Sequence, residues 1–266
     1  MISLPLLKKE FRSNWKFLLV LSIVLSFYSS VIITMFDPDM ASLLDGFSKN
    51  MPELMQAFGM SNAGTDFMGF VVSYFYGFFA LIFPLIFVIA MSSRLLSKYI
   101  DNGSLAYLLA TPNKRTTLLL TQFVFLWICL FVVACVLSGV GIFMVSLCFP
   151  DALDVGKYFL LNVNVFAIQF CIGSICFFIS TVINDPRRAL MFSIAFPVSF
   201  YIMHMLANLG GNMDFFKYLT VYTLYDPTGL IAQEQNAIFG LLGLFGIGFV
   251  LYALSLSFFK KRDLNV

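Results

Sequence analysis

The chain has 266 residues, of which 60% are hydrophobic and 11% are charged, and its mean hydropathy is +0.92. This composition excludes a soluble globular domain of useful size, because too few polar side chains remain to coat one. The net charge of +2 does not indicate a nucleic-acid surface, since membrane topology accounts for the positions of the basic residues.

The residues ahead of the first apolar run have the pattern of an amphipathic helix. Leu7, Phe11 and Trp15 recur at helical spacing, and lysine and arginine occupy the other face. The pattern predicts an interfacial helix over residues 3–16, with Trp15 at headgroup depth and the basic face toward anionic lipid or a cytoplasmic partner. A basic N-terminus that only sets topology is the alternative.

Six long apolar runs follow, and each reaches the roughly 20 residues that a helix needs to cross about 30 Å of hydrocarbon. They predict an all-α, polytopic membrane protein with a single transmembrane domain over residues 1–266 and six transmembrane helices. The expected spans cover residues 17–36, 67–93, 116–148, 158–184, 189–209 and 236–259. The third run is too long for one span, so it either projects beyond the bilayer or bends near Gly139 and Gly141.

The basic residues indicate the orientation. With a cytoplasmic N-terminus, 13 of the 16 lysines and arginines fall on the inner side, and only Lys49, Lys157 and Lys217 fall outside. Because such residues near span ends resist translocation, the sequence predicts that both termini are cytoplasmic.

Two uncharged polar regions are candidates for a translocation pathway. In the fourth span, Asn162 and Gln169 share one helical face, which serves either helix packing or the lining of a cavity. The aromatic stretch 210–235 is broken by glycine and proline at its ends and predicts short re-entrant helices between spans 5 and 6. Tyr222 and Tyr225 would then lie near the pathway.

The sequence contains no pattern typical of catalysis. The expected spans contain no acid or base apart from His204, which is more typical of packing or of the lipid interface than of acid-base catalysis. There is no nucleophile elbow and no phosphate-binding loop, and the five cysteines are typical of small packing residues. We therefore predict no catalytic residue, metal site or cofactor in this chain.

The cytoplasmic connection between spans 2 and 3 carries a short apolar helix. Gly103 and Ser104 start it and Pro112 ends it, so a short helix is expected over about residues 103–111. Its apolar side chains are Leu105, Tyr107, Leu108 and Leu109. Such a helix fits a groove on another protein. The alternative is that the helix rests on the inner leaflet of the membrane.

This loop resembles that of the six-span permease subunits of type-2 ABC transporters. The matching residues are Asp101, Gly103, Ser104, Leu108, Leu109, Pro112 and Arg115. The short inner loop 184–189, the basic terminus 259–264 and the Tyr225-Asp226-Pro227 sequence are also similar.

The resemblance implies a subunit that pairs with a second permease, as a homodimer or heterodimer, and with two cytoplasmic ATPase subunits that bind ATP and Mg²⁺. The residues of the loop would couple to the ATPase, and the N-terminal helix would be a second contact. We expect an exporter in the bacterial cytoplasmic membrane, with no nucleic-acid partner. Its abundant phenylalanine suits amphipathic or hydrophobic cargo such as toxin-like or antimicrobial peptides, lipids or drugs.

Several alternatives stay open at this point. Sodium export and self-immunity to a bacteriocin belong to the same class of function. A non-transporting membrane sensor or immunity protein would need no ATPase-binding helix, and an intramembrane hydrolase would depend on His204.

Overall fold

The computed structural model describes residues 2–36, 50–60, 66–97, 115–149, 154–183 and 185–261. Throughout these ranges the regular structure is helical, with no strand, and six helices are long and apolar enough to cross a membrane. Spans 1 and 3 to 6 are the helices Leu4–Thr34, Arg115–Cys148, Val155–Val182, Pro186–Asn208 and Gln235–Lys261. The expected all-α class with six candidate spans is confirmed.

Span 2 alternates between two kinds of helix. It runs as the α-helix Phe67–Val71, the π-helix Val72–Phe79, the α-helix Ala80–Ser92 and the π-helix Ser93–Ser97. Sequence reasoning did not predict these π-helical turns, which widen the helix at both ends of the span. Such turns are rare and often accompany functional sites.

Aspartate residues start four of the helices. Asp66, Asp154, Asp185 and Asp226 each accept a hydrogen bond from a backbone N–H in the first turn that follows. Such a cap satisfies an amide that has no partner inside the helix. At Asp185 and Asp226 the next residue is proline, which has no N–H to leave unpaired at that position.

The N-terminal segment is not separated from span 1. One helix of 31 residues runs from Leu4 to Thr34 and includes the residues expected to form an interfacial helix of their own. No glycine or proline interrupts the chain between Lys8 and Phe36, so nothing in the sequence breaks the helix. At 1.5 Å per residue the helix is about 46 Å long, which exceeds the hydrocarbon thickness.

Span 3 is also a single helix, of 34 residues, and it continues through Gly139 and Gly141. The long third run was expected either to project beyond the bilayer or to bend near these two glycines, and the helix shows no break there. Gly141 instead permits a close approach, because a Cβ there would overlap the Tyr158 hydroxyl of span 4. The Tyr158 hydroxyl in turn donates to the Leu137 carbonyl at 3.4 Å.

Span 4 lies at the centre of the bundle. It contacts spans 2, 3, 5 and 6, and 72% of its most apolar stretch is buried, compared with 22% for span 5. Aromatic rings fill the space around it, with Phe170 and Phe177 of span 4 both packed against Tyr252 of span 6. Glycine allows close contact here too, since a Cβ on Gly248 would lie 2.5 Å from the Phe170 ring.

The connection between spans 5 and 6 forms the 3-10 helices Gly211–Leu219 and Val221–Leu224 and the short α-helix Pro227–Ile231. It is tied to the spans by side chains. The Tyr225 hydroxyl donates to the Tyr76 carbonyl of span 2 at 3.0 Å, and the Thr220 hydroxyl donates to the Phe200 carbonyl of span 5 at 2.9 Å. That these helices dip into the outer leaflet stays a prediction.

Candidate functional site

The predicted coupling residues from Asp101 to Pro112 lie outside the described residues. The structure shows the two ends of that connection, where span 2 ends at Ser97 and span 3 begins at Arg115. The expected coupling role of these residues therefore stays a prediction.

The N-terminal segment, defined here as residues 3–17, contacts the end of span 2. The Arg94 guanidinium lies over the Phe17 ring, 5.0 Å from its centroid, and the Phe17 ring lies 5.1 Å from the Phe87 ring. A cation above an aromatic face is attracted by the ring quadrupole. The segment is thereby attached to the last turns of span 2 before its connection to span 3.

The same segment contacts the start of span 3. The Ser3 backbone N–H donates to the Thr121 hydroxyl at 3.0 Å, and the Phe11 and Phe125 rings meet edge to face at 4.9 Å. Residues 3–17 therefore touch the helices on both sides of the connection between spans 2 and 3.

A buried polar cluster, consisting of Glu10, Asn14 and Gln122, lies within this second contact. The three side chains are 4%, 5% and 4% exposed. The Asn14 amide donates to Glu10 Oε2 at 3.1 Å, and the Gln122 amide of span 3 donates to Glu10 Oε1 at 3.4 Å. Sequence reasoning missed this cluster because one acid among several bases is typical of a solvated surface. The spacing of Leu6, Glu10 and Asn14 at every fourth residue was the available signal.

The residues predicted for the interfacial face are divided in the structure. Leu7 and Phe11 are half-buried and pack against the hydrophobic core, whereas Trp15 is 49% exposed. The basic residues of the segment are exposed, as the amphipathic pattern predicts. The apolar side of residues 3–17 therefore meets protein at Leu7 and Phe11, while Trp15 is available to the lipid interface.

The four predicted pathway residues, Asn162, Gln169, Tyr222 and Tyr225, are buried inside the bundle. The Gln169 amide donates to the Leu81 carbonyl at 3.0 Å, and the Asn162 amide donates to the Tyr158 carbonyl at 3.0 Å. Leu81 follows Ala80, whose carbonyl has no helical donor at position 84 because proline lacks an N–H. This placement is what the packing alternative predicts, and a pathway role for the four residues stays a prediction.

A cavity of about 510 Å³ opens at the end of the bundle where spans 5 and 6 are connected. The first π-helix of span 2 contributes Ser73 and Gly77, and span 5 contributes His204 and Asn208. The connection between spans 5 and 6 adds the ion pair between Asp214 and Lys217, whose charged atoms are 2.7 Å apart. The cavity therefore has a polar wall in which the described charges are partly neutralised.

Buried aromatic side chains pack against residues that line this cavity. The His204 ring is stacked on the buried Tyr222 ring, with centroids 5.4 Å apart. Burial raises the pKa of the Tyr225 hydroxyl, and nearby Tyr201 and Asp226 raise it further. Burial likewise raises the pKa of the Tyr222 hydroxyl. Both phenols therefore stay neutral and act as hydrogen-bonding and packing groups.

The described part of the chain contains no group of three or more His, Cys, Asp or Glu residues that could hold a metal ion. The five cysteines are free thiols; Cys129, Cys171 and Cys176 are buried, and Cys135 and Cys148 are exposed. The His204 ring contacts the Tyr222 ring, and among the described residues no hydrogen bond joins His204 to a carboxylate.

Span 5 presents an aromatic surface to the outside of the bundle. Phe192 and Phe196 are 45% and 46% exposed, and the rings of Phe192, Phe196 and Phe200 follow one another at 6.1 and 6.4 Å. We call these three residues the span 5 ladder. A surface of this kind faces lipid or a second membrane protein.

The comparisons with known proteins agree with this arrangement. A family model described as ABC-2 family transporter protein matches residues 4–264, which is nearly the whole chain. None of the curated proteins compared with the chain matches it. The resemblance seen in the sequence is thereby confirmed, and the chain belongs to the ABC-2 family of transporter membrane proteins as a multi-pass permease subunit.

Proposed function

We propose that this chain is the membrane subunit of an ATP-driven exporter that moves amphipathic or hydrophobic cargo, such as toxin-like or antimicrobial peptides or drugs, out of the cell. The observation that carries the proposal is the family match over residues 4–264, together with six candidate spans. The family implies an ABC ATPase as partner. This agrees with the absence of a phosphate-binding loop from the sequence.

In this proposal two cytoplasmic ATPase subunits bind ATP and Mg²⁺, and two permease copies, identical or different, enclose the pathway. Both termini lie in the cytoplasm, and the membrane is the bacterial cytoplasmic membrane. The basic residues support this orientation, because 13 of the 16 fall on the inner side.

The connection between spans 2 and 3 is proposed to be the lever on which the ATPase acts. Its short apolar helix, with Leu108 and Leu109, would sit in a groove of the ATPase subunit. The N-terminal segment touches the helices at both ends of this connection, at Arg94 and at Thr121, so a displacement of the lever reaches span 1 as well as spans 2 and 3.

We propose that the cargo pathway runs along span 5, between the two permease copies. Span 5 is the least buried of the six candidate spans, and its exposed ladder offers aromatic contacts to apolar cargo. The polar cavity at the outer end, near His204 and Asn208, would serve as a vestibule for release. Cargo with an apolar and a polar part matches both surfaces.

The experiment that tests this function is a substitution in the predicted coupling helix. We expect Leu108→Asp to place a charge in an apolar groove and to abolish co-purification of the ATPase or its stimulation by the permease. Leu43→Asp is the matched control, because the charge pattern places Leu43 on the outer side. A tagged Leu108→Asp chain that retains a fully active ATPase would contradict the proposal and favour a sensor or immunity protein.

A further inference from the structure

Glu10 is the one acidic side chain that is fully buried among the described residues. Removing a carboxylate from water is costly unless hydrogen bonds replace its hydration. Asn14 and Gln122 supply such bonds, at 3.1 and 3.4 Å. An apolar side chain would fill this position between spans 1 and 3 without that cost, so packing alone does not explain the cluster.

The position of the cluster indicates a role. Gln122 is the eighth residue of the span 3 helix, just after the predicted coupling connection, and Glu10 is the seventh residue of the span 1 helix. On the other side of that connection, Arg94 of span 2 lies over Phe17. The N-terminal segment is therefore fastened to both ends of the connection, by a polar contact at one end and by a cation over a ring at the other.

We propose that Glu10, Asn14 and Gln122 are positioning residues for energy coupling, which transmit the ATP-driven movement of the span 2–span 3 connection to span 1. This inference rests on the proposed function. Hydrogen bonds in a buried cluster are directional, so span 1 must follow span 3 when the start of span 3 moves. An apolar contact at the same place would allow the two helices to slide.

Hydrogen exchange of the reconstituted permease–ATPase complex tests the proposal, because one measurement reports both on the span 2–span 3 connection and on the N-terminal segment. Exchange is measured by mass spectrometry with and without trapping by ATP and vanadate, and ATP turnover is measured in the same sample. In the unaltered complex we expect trapping to change the protection of residues 98–114 and of residues 4–16 together.

For Glu10→Ala and Gln122→Ala, we expect basal protection of residues 4–16 to fall about tenfold, which is the effect expected for losing a buried hydrogen bond to a charged group. Trapping should still change residues 98–114, but residues 4–16 should no longer respond. The double variant should behave like either single variant, because all three remove the same contact.

Two further variants separate positioning from a purely structural role. Glu10→Gln combined with Gln122→Glu exchanges acceptor and donor, keeps one carboxylate in the cluster and should restore the response of residues 4–16. Ser13→Ala, on the exposed face beside Asn14, should change nothing.

The proposal is overturned if the alanine variants still transmit the trapped-state change to residues 4–16, or if the exchanged pair does not restore it. Failure of the proposed function looks different, since the unaltered chain would then carry no ATPase and show no response to vanadate trapping in either segment.

Discussion

Spans 4 and 5 are neighbours of similar chemistry with opposite surroundings. Both are uncharged after a basic start, and both begin at an aspartate cap, Asp154 or Asp185. Yet span 4 is the most buried of the candidate spans and span 5 the least. Lipid is as apolar as a protein core, so hydrophobicity does not distinguish the two helices.

The positions of amides and glycines do distinguish them. Span 4 turns Asn162 and Gln169 inward and brings Gly173 within 2.9 Å of neighbouring side chains, measured from an added Cβ. Span 5 places rings outward and holds to span 4 through Ser193, whose hydroxyl lies 3.2 Å from that of Ser180. Span 4 is thus built for the stability of the fold, and span 5 keeps a surface available for a partner or cargo.

The largest effect on stability is expected from crowding span 4. We expect Gly141→Ala to destabilise the protein by about 2–3 kcal/mol, because the new methyl group overlaps the buried Tyr158 hydroxyl and both helices must shift. The measurement is the temperature at which the detergent-purified protein loses its monodisperse elution peak. Gly139→Ala is the control two residues earlier, where nothing lies within 4 Å of the added atom. Equal melting temperatures for the two variants would show that span 3 does not rest on Tyr158.

A smaller loss is expected from the buried amide of span 4. Gln169→Leu should cost about 1–2 kcal/mol, because the Leu81 carbonyl loses a buried side-chain donor. The same thermal assay applies. A Gln169→Leu chain that melts at the same temperature as the unaltered protein would show that this hydrogen bond does not contribute to stability.

Removing the cap of span 5 should cost about 1 kcal/mol. In Asp185→Ala the Arg187 and Arg188 amides lose an acceptor, at 2.9 and 3.4 Å. Asp185→Asn keeps an acceptor oxygen and should leave the melting temperature nearly unchanged. If the asparagine variant is as unstable as the alanine variant, the charge of Asp185 and its 3.6 Å contact with Arg188 matter more than the cap.

The smallest effect on stability, and the sharpest effect on function, is expected at the span 5 ladder. Phe196→Ala should change stability by less than about 0.5 kcal/mol, because the ring is exposed. Efflux of a fluorescent amphipathic dye from vesicles should nevertheless fall about two- to tenfold, as expected for one aromatic contact. Phe131→Ala, on the exposed side of span 3, should leave efflux intact. Equal efflux from both variants would place the pathway elsewhere.

The six spans were predictable from sequence because each requires only a long uncharged run. The caps at Asp185 and Asp226 were also visible in the Asp-Pro pairs. The inward direction of Asn162 and Gln169 was not predictable, because small and polar residues serve packing and cavity lining equally well in a sequence.

Two features depend on contacts between distant parts of the chain. Glu10 is buried against span 3, where Gln122, 112 residues later in the chain, donates to its carboxylate. The N-terminal segment lies against protein because it packs along span 3, for example at Phe11 and Phe125. The amphipathic pattern alone could not tell a helix lying on lipid from one lying on protein.

The most direct test of the central claim, that this permease works with a separate ATPase, is affinity purification of the tagged chain in mild detergent. The intact mass of the eluate and its ATP turnover are measured together. The account predicts a complex of two permease and two nucleotide-binding subunits that hydrolyses ATP. A lone membrane protein without turnover would contradict it.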